Sequence, residues 1–197
     1  MSVLSNHIAN WQGCTRCALH KVRKNVVFYR GKIPAEVAYV GEAPGDSEDV
    51  NGIPFCGPAG ILLNEIIAKA EQDANVHPLS VFSNVVACCP KDLNPSRKEG
   101  EPLPEEIASC KPRFDEFLAM AKLDLIVCVG DVAAKQAKAN NWGERSATRQ
   151  QGKIRVVAIP HPARLLRIRH EDKAKFQIET DRCMIRLSSA LAELVPF

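Results

Sequence analysis

"EVAYVGEAPGDSEDVNGIPFCGPAGILLNEIIAKAEQ", residues 36–72, holds an apolar run, a loop of glycines and acids, and an amphipathic segment in that order. The run ending at Val40 reads as a buried strand that gives way to a loop. From Pro58 onward, apolar residues at 62, 63, 66 and 67 fall on one helical face, and a proline suits the first turn of a helix. Between these elements, residues 39–60 carry five glycines, three prolines and four carboxylates. A glycine-rich strand-to-helix turn is the usual setting for phosphate. Glu42, Asp46, Glu48 and Asp49 would repel phosphate, so the acids call for a different chemistry.

The same alternation continues along the chain. "VFSNVVACCP" (81–90), "LDLIVCVG" (123–130) and "IRVVAIPHPARLL" (154–166) read as further strands, the last running into a loop. "LPEEIASCKPRFDEFLAMA" (103–121) reads as a helix with Pro104 in its first turn, acids after it, and a kink or division at Pro112. "DVAAKQAKAN" and the long closing segment "KAKFQIETDRCMIRLSSALAEL" complete the helices. Four strands alternating with helices predict a single α/β domain over 1–197 with a mostly parallel central sheet. The polar, proline-rich stretch 89–106 reads as a surface loop. Ligands of such sheets bind beyond the carboxyl ends of the strands. Gly41–Gly45, Asn84–Pro90 and His161–Pro162 occupy those ends.

At 197 residues, 46% hydrophobic and 25% charged, the composition is globular. There is no apolar run of the eighteen or more residues that a membrane span needs. The first residues show no basic, then apolar, leader pattern, so an intracellular protein is expected. A net charge of +3 decides nothing about partners. "RLLRIRH" (164–170), "KPRF" and "NPSRK" concentrate positive charge, and taken alone they describe solvated faces.

Eight cysteines are many for a reducing compartment, where metal binding or burial is the commoner use. "CTRC" supplies Cys14 and Cys17, in a short N-terminal segment of about residues 10–25. Lacking a βαβ unit beside it, the pair does not suit thioredoxin-like redox chemistry. Cys14 and Cys17, with Cys88 or Cys89 and Cys110, would furnish four thiolates from three segments. Such a set suits a [4Fe–4S] cluster or structural zinc. Spacing does not choose between the metals, and burial of Cys88 and Cys110 as small hydrophobes is the plainer alternative. Cys56, Cys128 and Cys183 receive no role.

Taken together, "CTRCALHKVR", "GEAPGDSEDVNGIPFCGPAGILL", "SNVVACCP", "LPEEIASC" and "HPARLLR" resemble the iron–sulfur uracil-DNA glycosylases of family 4, from Cys14 to about Arg167. The resemblance implies a three-layer αβα sandwich around a four-stranded, mostly parallel sheet. It implies a structural [4Fe–4S] cluster on Cys14, Cys17, Cys88 and Cys110, and hydrolysis of the N-glycosidic bond of deoxyuridine in DNA. By the same resemblance Glu42 and Ala43 lie beside sugar and uracil. Glu48 is the acid associated with the attacking water, Phe55 the stacking ring, Asn84 the uracil-reading amide and His161 the histidine of the second motif. Two departures stand out. The spacer over 89–104 is longer than usual, and "ACCP" stands where the family has K-C-R-P, so Cys88 is preferred over Cys89 for falling in register four residues after Asn84.

The chemistry asks for such residues. A base buried in a duplex must be flipped or single-stranded to be attacked. An aromatic face then stacks on it, and an amide accepts from uracil N3–H and donates to O4, a pattern that cytosine reverses. Positive charge on the sugar suits Glu42 or Glu48, and negative charge on uracil suits a donor from His161. Arg164, Arg167 and Arg169 would meet phosphates, and Leu165 or Leu166 would wedge into the base stack. The expected partner is DNA, single- or double-stranded, bound by a monomer with no membrane involved. Three other readings compete: a zinc protein of unrelated function, a metal-stabilised nucleic-acid-binding domain that has lost catalysis, and a member of the superfamily that binds or covalently captures uracil-DNA without efficient turnover. The absence of a histidine in 90–104, and Ala43 where capture proteins have glutamine, favour turnover.

Overall fold

Among the described residues, five strands form one sheet. The computed structural model describes residues 3–91, 100–144 and 153–194. Strands β2 (Val37–Gly41), β3 (Ser80–Asn84), β4 (Leu125–Val129) and β5 (Arg155–Ile159) run parallel, as expected. The fifth, β1 (Tyr29–Gly31), pairs antiparallel with β3 along one edge. Three residues, "YRG", are too few to show a period, so the sequence gives no sign of this strand.

Side chains alternate across the sheet. Val37, Tyr39, Phe82, Leu125 and Val127 face one core, with α3 (Pro58–Ala74), α6 (Pro162–Glu171) and α7 (Lys173–Ala192) laid on it. Ala38, Val40, Val81, Ile126 and Cys128 face the other core, beneath α4 (Pro104–Ala121) and α5 (Asp131–Ala139). The N-terminal helix α1 (Val3–Trp11) docks on α4. The result is the expected three-layer arrangement, with five strands in place of four.

Two local expectations change. α4 runs unbroken through Pro112, its first turn held by Pro104 and by Glu106 Oε2 accepting from the Leu103 N–H at 2.8 Å. "PARLL", the loop end of the last strand's stretch, instead opens the helix α6, because Pro162 is its first residue and His161 caps it. A short helix, α2 (Asp46–Asn51), also forms inside the acidic loop. Of the polar stretch 89–106, residues 92–99 lie outside the described residues, as does the "NPSRK" run. No helix among the described residues is long and apolar enough to cross a membrane.

The chain order reverses around β2. β3 lies on one side of it, while β4 and then β5 lie on the other. Loops leaving neighbouring strands at such a point diverge to opposite faces and leave a crevice at their carboxyl ends.

Candidate active site

Gly41 ends β2 directly beside Asn84, which ends β3. The pairing continues past the strands, with the Val85 N–H donating to the Gly41 carbonyl and the Val86 N–H to the Glu42 carbonyl, both at 3.0 Å. A Cβ placed on Gly41 would run into Asn84 Oδ1 and stand 2.7 Å from Phe55 Cζ. The amide of Asn84 and the tip of the Phe55 ring therefore meet over a backbone that carries no side chain. Glycine is required there by the close approach.

Asn84 is held from behind. The guanidinium of Arg113, buried under α4, donates from Nη2 to the carbonyls of Asn84 and Val85, at 2.5 and 2.9 Å. Its Nη1 reaches Ser83 Oγ at 3.4 Å. "KPRF", read as solvated positive charge, thus contributes a buried arginine instead. The Arg113 charge is felt at Glu116, which accepts from Trp11 Nε1 at 2.7 Å and lies 2.9 Å from His7 Nδ1, so α1 is fastened to the same network.

Phe55 is buried and adopts φ +55°, the left-handed region that aromatic residues rarely enter. Gly60, in the first turn of α3, lets the Phe55 carbonyl lie against the helix; a Cβ there would stand 2.7 Å from Phe55 Cα. The Phe55 ring meets Phe82 edge-on at 5.9 Å, and Phe82 stacks on Tyr39 at 4.8 Å. Arg30, on β1, donates from Nε to the Pro54 carbonyl at 2.9 Å and from Nη2 to Asn64 Oδ1 at 2.7 Å.

The four acids of the loop divide. Asp49 is fully buried; its Oδ1 accepts from the N–H groups of Lys24 (2.9 Å) and Asn25 (3.2 Å), and its Oδ2 pairs with Lys91 Nζ at 2.7 Å. Burial pushes the Asp49 carboxyl up, but the bond to Lys91 and the two N–H donors outweigh it and hold the group below the ordinary carboxylate range. Asp46 lies exposed, 3.4 Å from the same Lys91. Glu48 is half-buried, accepting from the Gly45 N–H at 3.1 Å and the Gly57 N–H at 2.8 Å, so it staples the loop to the start of α3. Glu42 and Ala43 are half-buried just beyond β2. Two of the four acids are thus tied to Lys91, and a third, Glu48, to two glycine N–H groups.

His161 caps α6, with Nδ1 accepting from the Ala163 N–H at 3.2 Å. Pro162 has no N–H, so Ala163 carries the first orphan donor of the helix. Gly130, at φ +98° after β4, packs against the ring: a Cβ there would stand 3.1 Å from His161 Cβ. Burial and the charge of Arg167 hold the imidazole below its ordinary value, and Glu48 pulls the other way. Along α6, Arg164 and Arg167 are exposed, Leu166 is half-buried against the core, and Leu165 is buried to 1%. Of the two leucines, only Leu166 has surface to offer.

Cys17, Cys88 and Cys110 share the core under α4, and Cys14 and Cys17 are electrostatic neighbours. The Cys88 thiol is pushed up to about 12, by burial first and with Cys110 and Cys17 adding to it, against the downward pull of Arg23. Cys89 faces elsewhere: burial and Asp49 raise it, while Lys91 lowers it. Arg23 donates to Cys88 Sγ at 3.6 Å and the Ala87 N–H to Cys110 Sγ at 3.4 Å. Among the described residues, no three His, Cys, Asp or Glu side chains are drawn in around one point in ligating geometry. The donor set nonetheless suits a metal cluster: neighbouring thiols resist ionising together, a cation relieves that, and N–H donors to sulfur are the support such clusters use. Sequence reasoning missed Arg30, Arg113, Arg23 and Lys91. Isolated cations in polar or mixed segments carry no signal that distinguishes a buried clamp from a solvated side chain.

The family model described as the uracil DNA glycosylase superfamily matches residues 28–182. The type-4 uracil-DNA glycosylase of Archaeoglobus fulgidus is 30% identical, over 93% of this chain and 94% of its own length. The enzyme of the same name from Thermotoga maritima is 31% identical, over 91% and 90%, and that of Pyrobaculum aerophilum 35%, over 79% and 81%.

Gly41→Ala should force the Asn84 amide and the Phe55 ring apart. An overpacked core site costs about 1–3 kcal/mol, which urea unfolding will measure. Unchanged stability would mean that the two side chains do not meet over Gly41.

Proposed function

The chain belongs to the uracil DNA glycosylase superfamily, and within it to the type-4 enzymes, and from that premise we propose how it releases uracil from DNA. It hydrolyses the N-glycosidic bond of deoxyuridine, freeing the base and leaving an abasic site. The observation that carries this reading is the meeting of Asn84 and Phe55 over Gly41, with His161 at the end of β5 in the same sheet.

A flipped or single-stranded deoxyuridine enters the crevice with its base flat against Phe55. The Asn84 amide accepts from N3–H and donates to O4. Cytosine presents the reverse pattern and leaves both groups unpaired, which discriminates strongly. Arg113 fixes the backbone from which this amide projects.

As the glycosidic bond lengthens, the sugar gains positive charge and the base negative charge. His161 Nδ1 is occupied as the acceptor of the helix cap, so in the neutral ring the proton resides on Nε2. Burial and Arg167 favour that neutral ring. His161 therefore donates from Nε2 to uracil O2 as charge develops there. Glu42 and Glu48 face the cationic sugar and the water. Each Glu48 oxygen holds one backbone N–H and keeps a second lone pair with which to accept from that water. Arg164 and Arg167 meet phosphates, and Leu166, the less buried of the two leucines, enters the base stack.

Cys14, Cys17, Cys88 and Cys110 would hold a [4Fe–4S] cluster that supplies a cross-link between the N-terminal segment, the end of β3 and α4, and no step of the hydrolysis. The protein acts as a monomer inside the cell, on uracil in single- or double-stranded DNA.

Asn caps helices as well as His can, so His161→Asn should preserve thermal stability while lowering kcat for uracil release by about 10²-fold or more, the usual cost of one lost charge-stabilising donor. The sign of the pH effect follows from the lowered pKa. Above about 6.5 both folded and unfolded chains hold His161 neutral. As pH falls through that value the unfolded chain takes up the proton first, so the contribution to stability is lost there, and activity fails only lower still. An acid limb of kcat above pH 6.5 that vanishes in His161→Asn would reverse the assignment of a neutral donor. Cys88→Ala should lose iron and the brown absorbance near ~400 nm, and Cys89→Ala should keep both. The opposite outcome would move the fourth ligand to Cys89.

A further inference from the structure

Phe55 holds an aromatic side chain in a strained backbone region, and such conformations persist only where the surroundings enforce them. Relaxing φ from +55° to the extended region would swing the ring away from Gly41. Gly60 makes room for the strained carbonyl but supplies no bond that holds it. The nearest bond to that backbone comes from Arg30, on the Pro54 carbonyl one residue earlier.

The guanidinium of Arg30 reaches the backbone before Phe55, the helix after it and the Phe82 ring against which Phe55 packs. Nε holds the Pro54 carbonyl at 2.9 Å, immediately before the strained residue. Nη2 is anchored at 2.7 Å on Asn64 of α3, the helix that Phe55 leads into. Its carbon lies 3.6 Å from the centre of the Phe82 ring, whose other neighbours are Tyr39 and the edge-on Phe55 ring. A planar fork makes two bonds in fixed directions while its face covers a ring, which an ammonium cannot do. From this geometry we infer that Arg30 is a positioning residue for base recognition: it fixes the plane of Phe55, and so sets how tightly the pocket holds uracil. This rests on the reading of Phe55 as the stacking ring, and it assigns the antiparallel edge strand β1 a part in specificity.

The test compares the full-length wild type with Arg30→Met, Arg30→Lys and Asn64→Ala. The measurements are kcat and KM on a uracil-containing single-stranded oligonucleotide, inhibition by free uracil, and affinity for the abasic product strand. Arg30→Met should raise KM and the uracil inhibition constant about tenfold each, as expected for a weakened base–aromatic stack, with product-strand affinity within about twofold. Arg30→Lys should fall between, retaining the charge but one bond fewer. A merely structural role would lower kcat through a smaller active fraction and leave KM and uracil inhibition unchanged. That result overturns the inference. If Arg30→Met does not fold, Asn64→Ala decides: it should weaken uracil inhibition in the same direction by less, and an unchanged constant overturns the inference. A wild type that releases no uracil overturns the reading of the pocket, and the role of Arg30 with it.

Discussion

Both ends of the site depend on the pairing of β2 with β3, and on its continuation past the strands through Val85 to Gly41 and Val86 to Glu42. That ladder sets Asn84 beside Gly41, where no Cβ intervenes. Four residues later the same segment delivers Cys88 to the core that contains Cys17 and Cys110. Slipping the register by one residue would turn Asn84 into the opposite core and misplace Cys88 at the same time. The places of the Asn84 amide and of Cys88 are therefore consequences of one strand register.

Polar groups this deep in a protein need partners, and here arginines supply them. Arg113 takes the carbonyls of Asn84 and Val85 from beneath α4, while Arg30 takes the Pro54 carbonyl from the sheet edge. Each fixes backbone at or next to a residue whose side chain closes on Gly41. The acids divide the same way. Asp49 is spent on holding α2 to Lys24, Asn25 and Lys91, and Glu48 on joining two glycine N–H groups across the loop. The crowding of acids beyond β2 is thus partly architecture.

The parallel strands and their helices were legible in the sequence because their apolar residues follow strand and helix periods. Glycines at 41 and 60, a proline at 58 and the acids between them marked the turn over which the pocket is built. Three features were not legible. Strand β1 is too short to carry a period and forms only because β3 offers it an edge. Helix α6 was hidden by prolines on both sides of His161, although a proline following a capping residue is how a helix begins. The roles of Arg30 and Arg113 depend on carbonyls more than twenty residues away in the chain, and no local pattern encodes such partners.

The most direct measurement is kcat/KM for base release from matched uracil and cytosine oligonucleotides, by the wild type and by Asn84→Ala. The wild type should release uracil and leave cytosine, and the alanine variant should lose about 10²-fold or more on uracil while keeping its cluster absorbance, since two hydrogen bonds to the base disappear together. Uracil release by Asn84→Ala at the wild-type rate would contradict a pocket built on the Asn84 amide.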